Sequence, residues 1–97
     1  MEINDWKNTI NDFYKQKFPD QDWSVQDRLL GLFSQCSALG EKVQFNQGLR
    51  KIDKQHDSEE ILVMAILLDV FVLCAKLNID INKGLEKILL SFKKTKR

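Results

Sequence analysis

The chain has 97 residues, 43% of them apolar, and its 15 Lys and Arg residues nearly balance its 14 Asp and Glu residues, leaving a formal net charge of +1. This length suits one domain over residues 1–97, and the small net charge argues against nucleic acid or a membrane as a partner. One proline and four glycines are too few for the frequent turns of a β-sandwich or barrel, so an all-α fold is favoured. Two cysteines and the lack of an apolar leader indicate a cytoplasmic protein.

The first two helices are predicted from apolar spacing and from signals at their ends. Apolar residues recur every three or four positions over residues 2–17, and Pro19 ends this first helix because it disfavours helical dihedrals in the preceding residue. The second helix begins at Ser24, which forms a capping-box pattern with Asp27. It continues to about residue 45, before a stop signal that ends in Gly48.

The third helix is predicted from a long apolar run that follows a polar connector over residues 49–57. From Ile61 to Leu77 the only charged residues are Asp69 and Lys76. This run is shorter than the roughly 20 apolar residues that span a bilayer, and Asp69 interrupts it, so a transmembrane helix is disfavoured. A helix that is apolar on every side must be covered on every side. We therefore expect a central helix that is covered by its own bundle and by a second subunit.

The fourth helix is predicted to begin at Asp80, after Asn78 has adopted the left-handed conformation that ends the third helix. Its apolar stripe runs from Ile81 to Phe92. Four helices with short connectors predict an antiparallel four-helix bundle. The apolar third helix predicts assembly into a homodimer or a dimer of dimers.

Three stretches, which together span nearly the whole chain, resemble one known family. They read FPDQDWSVQDRLLGLFSQCSALGEKVQF, EEILVMAILLDVFVLCAKLNIDI and, at the C-terminus, SFKKTKR. They are similar to the second helix with its preceding loop, the third helix and the basic last helix of the MazG-like nucleotide pyrophosphohydrolases. The resemblance implies the MazG-like all-α bundle of enzymes that split nucleoside triphosphates into monophosphate and pyrophosphate.

The resemblance also implies a Mg²⁺ site, made from an E-x-x-E pair on the second helix and an E-x-x-D pair on the third. None of the four corresponding positions holds an acid, and Mg²⁺ prefers carboxylate oxygens, so we predict that the metal site is lost and that no cofactor is bound. In this sequence the four positions hold Gln35, Ala38, Leu62 and Ala65. A site completed by a second subunit is an alternative, because Glu41 and Asp69 of one chain would lie about 15 Å apart in an antiparallel pair.

Five further residues are candidates for function. The resemblance implies base stacking on Trp23 and Phe45, and phosphate contacts from Lys93 and Lys94, although core packing and compensation of the helix dipole explain such residues as well. Asp69 is a charge inside an apolar run, which predicts a buried hydrogen bond or an intersubunit salt bridge, with a functional carboxylate as the alternative.

The sequence thus favours a MazG-like protein without the metal-binding carboxylates, catalytically inactive, that binds a nucleotide or serves in assembly. One alternative is an active house-cleaning nucleoside triphosphate pyrophosphohydrolase with a rebuilt metal site. Another is a purely structural oligomeric module.

Overall fold

Four α-helices account for most of the chain, of which a computed structural model describes residues 1–19 and 24–95. The helices are α1 (Ile3–Lys17), α2 (Val25–Asn46), α3 (Glu59–Lys76) and α4 (Ile81–Thr95). The residues so described include no strand. The prediction of an all-α chain with four helices is confirmed, and the helix ends agree with the predicted ones to within about two residues.

The capping box predicted for α2 is present, and α3 begins with a similar cap. The Asp27 backbone N–H donates to Ser24 Oγ at 3.1 Å, and the Ser24 backbone N–H donates to Asp27 Oδ2 at 3.2 Å, which completes the capping box of α2. In α3 the Ile61 backbone N–H donates to Ser58 Oγ at 3.3 Å. These side-chain oxygens satisfy backbone donors that have no partner inside the helix, so each cap fixes where its helix begins.

Two helices end in residues with left-handed backbone conformation. Gly48 has φ +78° and follows α2, while Asn78 has φ 56° and follows α3. Glycine reaches this region without steric cost, and asparagine tolerates it better than most residues do. The left-handed turn at Asn78, predicted from the sequence, is therefore confirmed.

Helix α3 packs against both α1 and α2 and supplies most of the buried residues. Ile10 of α1 joins Phe71 and Val72 of α3 in the main core cluster, and Val72 is only 1% exposed. Two other apolar residues of α3, Val63 and Leu67, are both more than 40% exposed. One side of the apolar helix is thus covered within the chain and another is not.

Helix α4 is attached to the start of α1 through polar groups. Asn4 donates from Nδ2 to Asp80 Oδ1 at 3.0 Å, and its Oδ1 accepts the Ile81 backbone N–H at 3.0 Å. Lys7 Nζ donates to the carbonyl oxygen of Ile79 at 2.8 Å. The main helix contact of α4 is with α1. Asn4 therefore satisfies the first backbone N–H of α4 and joins this helix to α1, while Asp80, where the helix was predicted to begin, accepts the Lys83 backbone N–H at 3.1 Å.

The connector between α2 and α3 folds back on the end of α2. Lys42 Nζ lies 2.6 Å from Asp53 Oδ2 and also donates to the Gln55 carbonyl at 3.3 Å. The Gln55 side-chain amide donates to Glu41 Oε2 at 2.9 Å. The hydrogen bond from Lys42 is the largest cause of the lowered pKa of the Asp53 carboxyl. This segment was predicted only as an irregular polar connector, because its contacts follow no period in the sequence.

Replacing Asn4 with Ala should destabilise the protein by about 1–2 kcal/mol, since it removes an N-cap acceptor and a tertiary hydrogen bond. The control is Asn8→Ala, an exposed position one turn later on the same helix, which corrects for the higher helix propensity of alanine. Urea unfolding of both variants, at one protein concentration, measures the difference. Equal stability of the two variants would contradict the role of Asn4.

Candidate functional site

The four positions where the family resemblance implies metal-binding acids lie where α2 and α3 pack together. Asn46 Nδ2, at the end of α2, donates to Glu59 Oε1 at 2.7 Å at the start of α3. Near the other end of the contact, Arg28 Nη1 lies 3.9 Å from Asp69 Oδ1. The four positions lie in the stretches of α2 and α3 between these contacts.

The side chains at these positions offer little to a metal ion. Gln35 carries one amide oxygen, Ala38 and Ala65 are half-buried methyl groups, and Leu62 is buried and apolar. Residues 1–19 and 24–95 contain no group of three His, Cys, Asp or Glu residues close enough to hold an ion. Glu41, the nearest acid on α2, accepts the hydrogen bond from the connector residue Gln55. The donor set is therefore poor in the charged oxygens that Mg²⁺ favours.

The charged group in the interior is an ion pair between α2 and α3. Asp69 and Arg28 are each 8% exposed, and the Arg28 guanidinium carbon lies 4.9 Å from the centroid of the Tyr14 ring. Three of the four helices thus contribute to this cluster, which contains Tyr14 from α1, Arg28 from α2 and Asp69 from α3. An arginine over an aromatic face is attracted by the ring quadrupole, and more strongly where water is excluded.

The partner of Asp69 differs from one sequence-based expectation. An intersubunit salt bridge was one of the predicted structural roles, and the structure pairs Asp69 with Arg28 of the same chain instead. Arg28 was missed because its partner lies 41 positions further along the chain. The available signal was its position, since Arg28 is the sole basic residue in the first half of the predicted second helix.

Burial controls the ionisation of Asp69. Desolvation raises the pKa of its carboxyl above the ordinary value, while the charge of Arg28 and the side chain of Gln35 act in the opposite direction. Gln35 holds one of the four positions where the family resemblance implies a metal-binding acid. Its side chain therefore interacts with Asp69 rather than with another acid. Asp69 is thus a buried carboxylate that is paired with Arg28, whose charge compensates part of the cost of burial.

Three of the four predicted nucleotide-binding residues belong to the described part of the chain. Trp23 lies outside the described residues. Phe45 is near the end of α2, where Lys42 Nζ lies 5.5 Å from its ring centroid. Lys93 and Lys94 are exposed in the last turn of α4. Within the described part of the chain, no hydrogen bond, ion pair or ring contact joins Phe45 to either lysine.

A large apolar groove lies between α1 and α3. It has a volume of about 500 Å³, and its walls are hydrocarbon and aromatic side chains. Trp6 and Ile10 form part of the α1 wall, and Met64, Leu67 and Phe71 form part of the α3 wall. We call this feature the apolar groove. Its chemistry suits an apolar helix face better than a charged small molecule.

In comparisons with known proteins, no family model matches the chain, and neither a curated protein nor a solved structure matches it significantly. Among the described residues, none of the helices combines the length and apolar character required to cross a membrane.

The raised pKa of Asp69 predicts a specific dependence of stability on pH. As pH rises, the unfolded chain releases the Asp69 proton first, near the ordinary aspartate pKa of 3.8, while the folded chain keeps it to higher pH. The folded state then binds more protons than the unfolded state, so the contribution of Asp69 to stability falls as pH increases through this window.

The measurement is urea unfolding of the wild type and of Asp69→Asn from about pH 3 to pH 7. The wild-type free energy of unfolding, minus that of the variant, should decrease across this range. The subtraction removes the opposite trend from Asp53 and Asp80, whose lowered pKa values are shared by both proteins. A difference that increases with pH would show that attraction to Arg28 outweighs desolvation.

Proposed function

We propose that the chain is a MazG-like helical protein that has lost Mg²⁺-dependent hydrolysis and functions in assembly, with a homodimer as its basic unit. The observation that carries this proposal is the amount of apolar surface that one chain leaves uncovered. The sequence resemblance supports the MazG-like assignment, and the donor set at its four metal positions supports the loss of hydrolysis.

The size of the exposed surface favours self-association. The chain exposes 7651 Å², whereas a compact protein of its mass of 11.4 kDa exposes about 5,800 Å². Its radius of gyration is 16.2 Å, against about 12.5 Å for a compact domain of this length. The excess of roughly 1,900 Å² is within the range that each chain buries in an obligate dimer.

The exposed apolar surface includes two complementary shapes on one chain. One is a convex stripe on α4, formed by Leu85, Ile88, Leu89 and Phe92, each about half exposed. The other is the apolar groove between α1 and α3. An amphipathic helix laid into an apolar groove is a common mode of protein recognition.

A second copy of the chain is the occupant that this arrangement favours. Each copy offers both a stripe and a groove. A two-fold arrangement can therefore place the α4 stripe of each copy in the groove of the other, so that both stripes and both grooves are covered. Such an exchange would also cover the exposed side of α3, in the antiparallel four-helix arrangement that the resemblance implies. A dimer of dimers would use the remaining apolar residues of α2, among them Leu30 and Phe33.

The assembly is tested by measuring molar mass with size-exclusion chromatography and light scattering. The wild type should have the mass of at least two chains, and Leu89→Glu should dissociate it, because burying an unpaired carboxylate costs several kcal/mol, about a hundredfold in the dissociation constant. Lys87→Glu, on the polar side of α4, is the matched control and should leave the mass unchanged. Leu67→Glu tests the groove in the same way, and circular dichroism shows whether each variant is folded.

A wild-type mass of 11.4 kDa would contradict the proposal. So would a folded Leu89→Glu variant that keeps the mass of the wild type, since the α4 stripe would then lie outside the interface.

The loss of catalysis is tested with a panel of standard and modified nucleoside triphosphates in the presence of Mg²⁺ or Mn²⁺. Pyrophosphate release should not exceed that of the buffer, because the four positions provide one neutral amide oxygen in place of four carboxylates. Turnover that a chelator abolishes would overturn this part of the proposal. In that event Asp69→Asn is the informative variant, since loss of turnover would identify Asp69 as part of a rebuilt site.

A further inference from the structure

The start of α4 lies at one end of the apolar groove of its own chain. Ile81, its first residue, packs against the core cluster, and that cluster contains Ile10 and Phe71, which also form part of the groove walls. Asn4, the neighbour of the groove residue Ile3, fixes this position because its side chain accepts the Ile81 backbone N–H at 3.0 Å. Helix α4 is therefore anchored beside the groove at its first turn, while its apolar stripe stays about half exposed.

The α4 stripe and the α3 wall of the groove match in length and in register. The stripe spans residues 85–92 and the wall spans residues 64–71, each a length of about 10 Å at 1.5 Å per residue. Leu85 and Phe71 are each seven positions from Asn78. At the other ends, Phe92 and Met64 are each fourteen positions from it. In a hairpin of two antiparallel helices, residues equally far from the turn lie at the same height. The stripe would thus lie along the whole wall if α4 folded back on α3.

The connector between α3 and α4 has the form of a pivot. It contains only residues 77–80, and helical hairpins commonly use connectors of about two to five residues. Asn78 has φ 56°, and the Ile79 backbone N–H donates to the Cys74 carbonyl at 2.8 Å, so the chain leaves α3 through a left-handed turn. Hinge motions need changes in only a few such residues, so this connector is the place where α4 can change direction.

We propose that α4 is a pivoting arm with two alternative positions for its stripe. In the closed position of a monomer the stripe fills the groove of its own chain, and in the dimer it fills the groove of the partner. Exchange of an identical element between two copies is a low-cost route to a dimer. The inference rests on the proposed function, because both take the stripe and the groove to be complementary, and it adds the means by which assembly is controlled.

Protein concentration determines which position the arm occupies, because closure needs one chain and exchange needs two. The closed arm covers the apolar surface of the monomer, and its release exposes that surface for assembly.

The test captures the stripe in the groove with an engineered disulfide. Leu67 and Leu89 are each eleven positions from Asn78. In either position of the arm, Leu67→Cys and Leu89→Cys should therefore be close enough to form a disulfide. The two free cysteines of the chain, Cys36 and Cys74, are replaced by Ala. After mild oxidation, non-reducing electrophoresis distinguishes a bond within one chain from a bond between two chains.

We expect the bond within one chain to prevail at concentrations where light scattering shows a monomer, and the bond between chains to increase with concentration. The matched control is Leu67→Cys/Lys87→Cys in the same background, which places the second thiol on the polar side of α4 and should lose both bonds. Circular dichroism verifies that each variant is folded. If Leu67→Cys/Leu89→Cys is unfolded, Met64→Cys/Phe92→Cys replaces it, since this pair lies at the far end of the stripe.

Closure is overturned if the monomer forms no bond within the chain, or if the control pair forms that bond equally, since the bond would then report random encounters. Failure of the proposed exchange gives a different result. A chain that stays monomeric at every concentration and forms only the internal bond would contradict exchange and support closure. Bonds between chains at every concentration, with none inside one chain, would support exchange and contradict closure.

Discussion

Covering the apolar helix α3 is the constraint on which the rest of this structure depends. Its residues are apolar on nearly every side, and hydrocarbon surface left in water costs free energy in proportion to its area. Helices α1 and α2 cover part of it and form the core around Phe71 and Val72. The side that carries Val63 and Leu67 stays exposed, because α4 contacts mainly α1. The apolar groove and the proposed dimer both follow from this incomplete coverage.

Asp69 is the exception inside that helix, and its charge determines what surrounds it. A buried carboxylate is tolerated when a cation compensates it, and Arg28 provides that charge from α2. Arg28 in turn lies over the Tyr14 ring, so the pair also connects α2 to α1. One charged position in an apolar helix thus links three helices.

The fold was predicted from the sequence more completely than the site was. The four helices, their caps and the left-handed turn at Asn78 were predicted correctly from residue patterns. Of the four positions that the resemblance implies as metal-binding, Gln35 interacts with Asp69 of α3. The role of Arg28 was not predicted, because no local pattern marks residues that meet only after the helices pack.

The sequence by itself determined where helices begin and end, because those signals act within about four residues of each other, as Ser24 and Asp27 do. It also determined that α3 must be covered, since its composition alone makes it apolar. Only the tertiary structure decided which residues do the covering and the pairing. Asn4 caps a helix whose first residue is 77 positions away, and such contacts depend on the angles at which helices pack, which side-chain volume and shape set across the whole core.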